Sequence, residues 1–78
     1  MDDALKELNT VFARVFRKPE LVITYNSDAA SVEGWDSLTH MMLIAAIEKQ
    51  FNVLFTLGQV MHFRNAGDIL AAIETNRT

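Results

Sequence analysis

The stretch GWDSLTHM, residues 34–41, brings together an aspartate, a serine and a histidine, side-chain types that can do nucleophilic chemistry. Ser37 and His40 are one helical turn apart, so His40 could approach the hydroxyl, with Asp36 or Asp68 to orient the ring. A serine hydrolase needs such a nucleophile, base and orienting group in an assembled pocket. The G-x-S-x-G elbow is absent, however, because Trp35 and Thr39 stand where the glycines belong, and no strand precedes the serine. Two other roles suit Ser37 better. It could cap a helix together with Asp36, a common role for both residue types, or it could be a site of covalent attachment. His40 and His62 read as surface or partly buried histidines, and no further ligand cluster accompanies them to make a metal site.

The elements that must position these residues read as helices. Leu5, Leu8, Val11, Phe12, Val15 and Phe16 recur at three- and four-residue steps and predict an amphipathic helix over 2–16 that ends at Pro19. The segment 18–35 mixes turn formers with single apolar residues and predicts a long ordered loop, with Leu21, Ile23 and Val32 as pegs into the core. From Ser37 to Phe51 there is no Gly or Pro, which predicts a helix of about four turns with Asp36 as N-cap. Leu43, Ile44, Ile47 and Phe51 share one side of it, whereas Leu38, Met41, Met42 and Ala45 share another. A small domain has one core, so the second apolar side either packs on a helix or faces a partner; Met41 and Met42 could equally be core fillers, and Trp35 a plug at the helix entrance. Residues 52–64 predict a loop with a short helix, and Asn65 with Asp68 suggests an approximate capping box opening a last helix over 66–74. The expected fold is all-α: a small four-helix bundle of three main helices and one short one, with a long loop between the first two, forming a single domain over 1–78.

Composition narrows the function. The chain has 78 residues, half of them hydrophobic, and a chain of this length buries roughly 60% of its unfolded surface, enough for one core. It contains no cysteine, so stability comes from packing without disulfides or thiolate metal sites. The net charge of −3 argues against nucleic acid as the main partner. The N-terminus has no signal-peptide pattern, and no apolar run approaches the ~20 residues of a membrane helix, so the expected location is the cytoplasm.

In this order of elements, the triplet Asp36-Ser37-Leu38 at the start of the second helix resembles the hallmark of the acyl carrier protein family. The resemblance extends over nearly the whole chain, from the first helix through the loop ending in GWDSL, the close AIEKQF of the second helix and the final GDILAAI. It implies that Ser37, flanked by Asp36 and Leu38, carries covalent 4′-phosphopantetheine, supplied from coenzyme A by a separate magnesium-dependent phosphopantetheinyl transferase. It implies a monomeric carrier that catalyses nothing, with acyl groups held as thioesters and exchanged with acyl-loading and acyl-transferring enzymes. Leu38, Met41, Met42 and Ala45 would face those enzymes. Leu43, Ile44, Ile47 and Phe51 would join Leu8, Phe12, Phe55, Phe63 and Ile69 around any sequestered acyl chain. The chain departs from the strongly acidic second helix of fatty-acid-synthesis carriers, since Glu48 is the one acid between Ser37 and Gly67. That departure, the GWDSLTHM style and the starting Met1 suggest a specialised stand-alone carrier in a lipid, polyketide or polysaccharide-related pathway. The Gly-Gly-x-Ser pattern of peptidyl carriers is absent, which disfavours an aminoacyl load. The rival reading is an unmodified helical interaction domain that uses the Leu38/Met41/Met42 stripe.

Overall fold

The computed structural model describes residues 3–77. Four helices follow in order, α1 Asp3–Phe16, α2 Ser37–Phe51, α3 Leu57–His62 and α4 Ala66–Asn76. The expected all-α architecture, with its long first loop, is the one observed; Asp2 lies outside the described residues.

Helix α1 buries Leu8, Val11 and Phe12 completely, one stripe at the expected spacing. It stops before Pro19. Arg17 takes a left-handed conformation (φ 57°), and the Lys18 N–H turns back to the Ala13 carbonyl at 2.9 Å, satisfying one of the helix's last acceptors. Helix α2 closes the same way through Asn52 (φ 56°), with the Val53 N–H on the Glu48 carbonyl. The core gathers Leu8, Phe12, Leu43, Ile47, Phe51, Ile69 and Ile73 from α1, α2 and α4.

The loop from Arg17 to Asp36 is tied down along its length. The Asn9 side chain donates to the Leu21 carbonyl at 2.9 Å and accepts from the Ile23 N–H, so α1 pins the loop's first third. Ile23 and Val32 are buried and Leu21 partly so, the pegs that the sequence suggested. One of its hydrogen-bonded turns opens at Asp28, whose carboxylate accepts from the Ala30 and Ser31 N–H groups. The loop then contributes to α4. The Ser27 and Tyr25 carbonyls accept from the Ala66 and Gly67 N–H groups at 2.9 and 2.8 Å, two first-turn donors that no helix can satisfy internally.

Helix α4 runs two residues past the expected Glu74. The two added residues are held from outside, since Asn76 donates to the Leu54 carbonyl at 2.7 Å and exchanges hydrogen bonds with Gln59. At its start, Asn65 caps Asp68 N–H as expected, but the Asp68 carboxylate reaches the Arg64 N–H rather than that of Asn65, so the reciprocal half of the capping box is displaced by one residue.

Gly67 is where loop and helix touch most closely, and a Cβ there would lie 2.9 Å from the Tyr25 carbonyl oxygen. Gly67→Ala is expected to cost about 1–3 kcal/mol by forcing the loop off α4. Thermal unfolding by circular dichroism should show a Tm drop of several degrees, and an unchanged Tm would mean that the loop withdraws freely.

Candidate functional site

The site is built where the long loop enters α2. Gly34, at φ +92°, reverses the chain in a conformation that side chains disfavour, and Trp35 then turns inward to only 7% exposure. Its indole packs edge-on against Phe12, with ring centroids 5.2 Å apart, and beside Phe16 at 6.4 Å. Asp36 is the N-cap. Its carboxylate accepts from the Thr39 N–H at 2.9 Å, and the Thr39 hydroxyl contacts the Asp36 N–H at 2.8 Å and donates to the Gly34 carbonyl at 2.7 Å. The Thr39 N–H, seconded by the Thr39 hydroxyl, holds the Asp36 carboxyl below its ordinary pKa.

One residue outside this capping box, Trp35 meets His40, the pairing of positions on which a hydrophobic staple is built. The rings lie side by side and nearly coplanar, with centroids 6.0 Å apart and an interplanar angle of 16°, and the indole Nε1–H donates to His40 Nδ1 at 3.0 Å. An indole can only donate, so Nδ1 is the acceptor and the proton of the neutral ring sits on Nε2. That N–H faces the Val60 carbonyl at 3.1 Å. His40 thus links the entrance of α2 to α3. Its role is structural, and the dyad with Ser37 that the sequence allowed does not form. Breaking the relay strands an indole N–H and a carbonyl in a half-buried place, at about 1–3 kcal/mol for each group left without a partner.

Ser37 itself is the first residue of α2 and exposed. The chain has three serines. The Ser27 hydroxyl accepts from the Thr24 N–H at 2.8 Å, and that of Ser31 accepts from the Asp28 N–H and donates to the Asp28 carbonyl. Only the Ser37 hydroxyl has no hydrogen-bond partner among the described residues. Capping is done by Asp36, which leaves Ser37 available at the positive end of the α2 dipole. An open groove of about 560 Å³ runs beside it, lined among others by Trp35, His40, Met41, Met61, Phe63 and Arg64. The Arg64 Nε sits 3.3 Å from Asp68 Oδ2, and its side chain is otherwise exposed. The backbone N–H of Arg64, and then its guanidinium, lower the Asp68 pKa.

Leu38, Met41 and Met42 are exposed, at 73, 53 and 52%, and Ala45 with them, so the methionines do not fill the core. Sequence reasoning missed that α3 extends this face through Leu57 and Met61, both over 70% exposed. It also missed the Trp35–His40–Val60 relay. The signal was present in the spacing, an N-cap aspartate flanked by aromatic rings at the staple positions. Among the described residues no group of three metal-binding side chains occurs, and no helix is long and apolar enough to cross a membrane.

An all-helical domain that presents an unbonded serine hydroxyl at a capped helix start, beside a groove, has the makings of a carrier. A family model described as the phosphopantetheine attachment site matches residues 6–73, and the chain belongs to this family of carriers. The solution structure of a holo acyl carrier protein from Geobacter metallireducens superimposes with a TM-score of 0.87 at 31% identity, covering 96% of this chain and 86% of that one. No curated protein matches significantly. The chain is therefore an acyl-carrier-type domain that holds covalent 4′-phosphopantetheine, acts through partner enzymes and catalyses nothing itself.

Because the folded pKa of Asp36 is depressed, its cap stabilises the protein above the ordinary aspartate pKa and is lost as pH falls through the depressed value. The Tm difference between wild type and Asp36→Ala should hold steady from neutral pH to about pH 5 and shrink below about pH 4. A difference that stays constant at low pH would show that the carboxylate is not the capping group.

Proposed function

We propose that Ser37 is the attachment point of the phosphopantetheine arm, and that the chain carries acyl intermediates as thioesters between enzymes of a specialised pathway. The observation that carries this reading is the unbonded Ser37 hydroxyl, set against the engaged hydroxyls of Ser27 and Ser31. In the transfer, Ser37 Oγ bonds to the phosphorus of the phosphopantetheine half of coenzyme A. The P–O bond to adenosine 3′,5′-bisphosphate breaks, and the hydroxyl proton leaves to the transferase. No base among the described residues engages Ser37, because His40 is committed to Trp35 and Val60, so activation belongs to the modifying enzyme. The new phosphodiester charge lies at the N-terminus of α2, where helix N–H groups favour an anion. The arm supplies the thiol that a chain without cysteine lacks.

Leu38, Met41, Met42 and Ala45, extended by Leu57 and Met61, form the surface offered to the transferase and to acyl-loading and acyl-transferring enzymes. Few charges accompany them. Glu48, the single acid of α2, accepts from the Phe55 N–H at 2.9 Å and serves the fold, so recognition rests on shape and apolar contact more than on ionic steering.

Incubation with coenzyme A, magnesium and a broad-specificity phosphopantetheinyl transferase should add one phosphopantetheine to the intact mass of the wild type and nothing to Ser37→Ala. Modification of Ser37→Ala would move the attachment elsewhere, and a folded wild type that gains no mass would favour an unmodified interaction domain. Met41→Glu should slow loading by a partner enzyme about tenfold, the loss expected of one apolar anchor. Its Tm should stay within about a degree or two, as for other exposed substitutions; a large Tm drop would place Met41 in the core instead.

A further inference from the structure

The groove beside Ser37 ends at a wall. Trp35, His40, Val60 and Phe63 line it, and Trp35 and Val60 are 7 and 6% exposed, so the groove's floor is also the outer layer of the core. The wall is continuous, because Trp35 packs on Phe12, His40 on Trp35 and Phe63, and Phe63 edge-on against Phe55 at 5.2 Å. Hydrogen bonds fasten it. The Trp35 Nε1–H to His40 Nδ1 bond and the His40 Nε2–H to Val60 carbonyl bond join the α2 entrance to α3, the two elements that would have to separate for anything tethered at Ser37 to pass inward. Helix α3 is also held on its far side by the Gln59–Asn76 pair to α4. Parting α2 from α3 strips the indole N–H and the Val60 carbonyl of their partners in a half-buried place.

We propose that the Trp35–His40–Val60 relay is a specificity latch that closes the core to cargo, so the acyl group rests in the surface groove and the carrier serves short acyl chains. The inference rests on Ser37 being the tether. Met41 and Met61 supply flexible apolar contacts along the groove, enough for a short chain. A chain in an open groove keeps one side in water, and each added methylene adds wet apolar surface that a closed core does not relieve. Discrimination against long chains is thus built into the resting carrier, before any partner enzyme acts. Leu8, Ile47 and Ile69, which the family resemblance placed around any sequestered chain, have no exposed surface; on this reading they pack the core and touch no cargo.

The test loads the protein with butanoyl- and decanoyl-phosphopantetheine, confirms each by intact mass, and compares methyl spectra with those of the unacylated holo protein. Both chains should shift the methyls of Met41 and Met61 and leave those of Leu8, Ile47 and Ile69 in place. Decanoyl-induced shifts at the three core residues in the wild type would overturn the proposal. Trp35→Phe keeps an aromatic ring, though a smaller one, and deletes the N–H, and His40→Ala deletes both bonds. In whichever variant retains its helical circular dichroism, decanoyl but not butanoyl should now shift the core methyls. Core methyls that stay silent in a folded His40→Ala protein would show that the relay is not the barrier. If no mass is added to the wild type, it is the tether assignment that fails, and this inference falls with it.

Discussion

The contact on which the rest of the site depends is the one between the Trp35 indole and the ring of His40. Trp35 is the last buried residue before α2, wedged against Phe12 and Phe16 of α1. By its hydrogen bond to His40 it fixes where α2 begins and which way its first turn faces. Asp36 and Thr39 then close the capping box one residue away, and the first hydroxyl past the cap is that of Ser37. A serine in that place is exposed because the two residues before it are committed, Trp35 to the core and Asp36 to the cap. Through the other nitrogen of His40, the same contact extends to Val60 and places α3, a six-residue helix that is too short to hold itself in place.

The long loop acts as scaffold rather than linker. It is fastened at Asn9, satisfies donors of α4 through Tyr25 and Ser27, and delivers Gly34 and Trp35 at the required angle. Loops of this length are uncommon inside compact domains unless they serve a function, and here the function is positional. Its carbonyls complete a helix terminus that would otherwise expose unsatisfied N–H groups, so the loop and α4 stabilise each other.

The two apolar sides of α2 divide its labour. Leu43, Ile47 and Phe51 hold the bundle together, and Leu38, Met41 and Met42 stay outside with Leu57 and Met61 of α3. Methionines would suit a surface offered to several enzymes in turn, since unbranched, polarizable side chains adapt to different partners. The charges nearby are spent locally. Asp36 caps, Glu48 holds the Phe55 N–H, and Asp68 binds the backbone and guanidinium of Arg64.

The helices and their order are legible in the chain alone, because hydrophobic spacing and capping residues are local signals that survive without tertiary context. The bounds of α2 and the N-caps Asp36 and Asn65 were legible in this way, as were the pegs Ile23 and Val32. The DSL triplet in that helical order was enough to point to a carrier. What the tertiary structure alone decided were the matters that join residues far apart in the chain. Asn76 carries α4 past its expected end because Leu54 and Gln59 come round to meet it. Asp68 bonds the backbone of Arg64, one residue before the expected Asn65. His40 binds Trp35 and Val60 rather than Ser37, a choice set by an indole that can only donate and a carbonyl twenty residues on that can only accept.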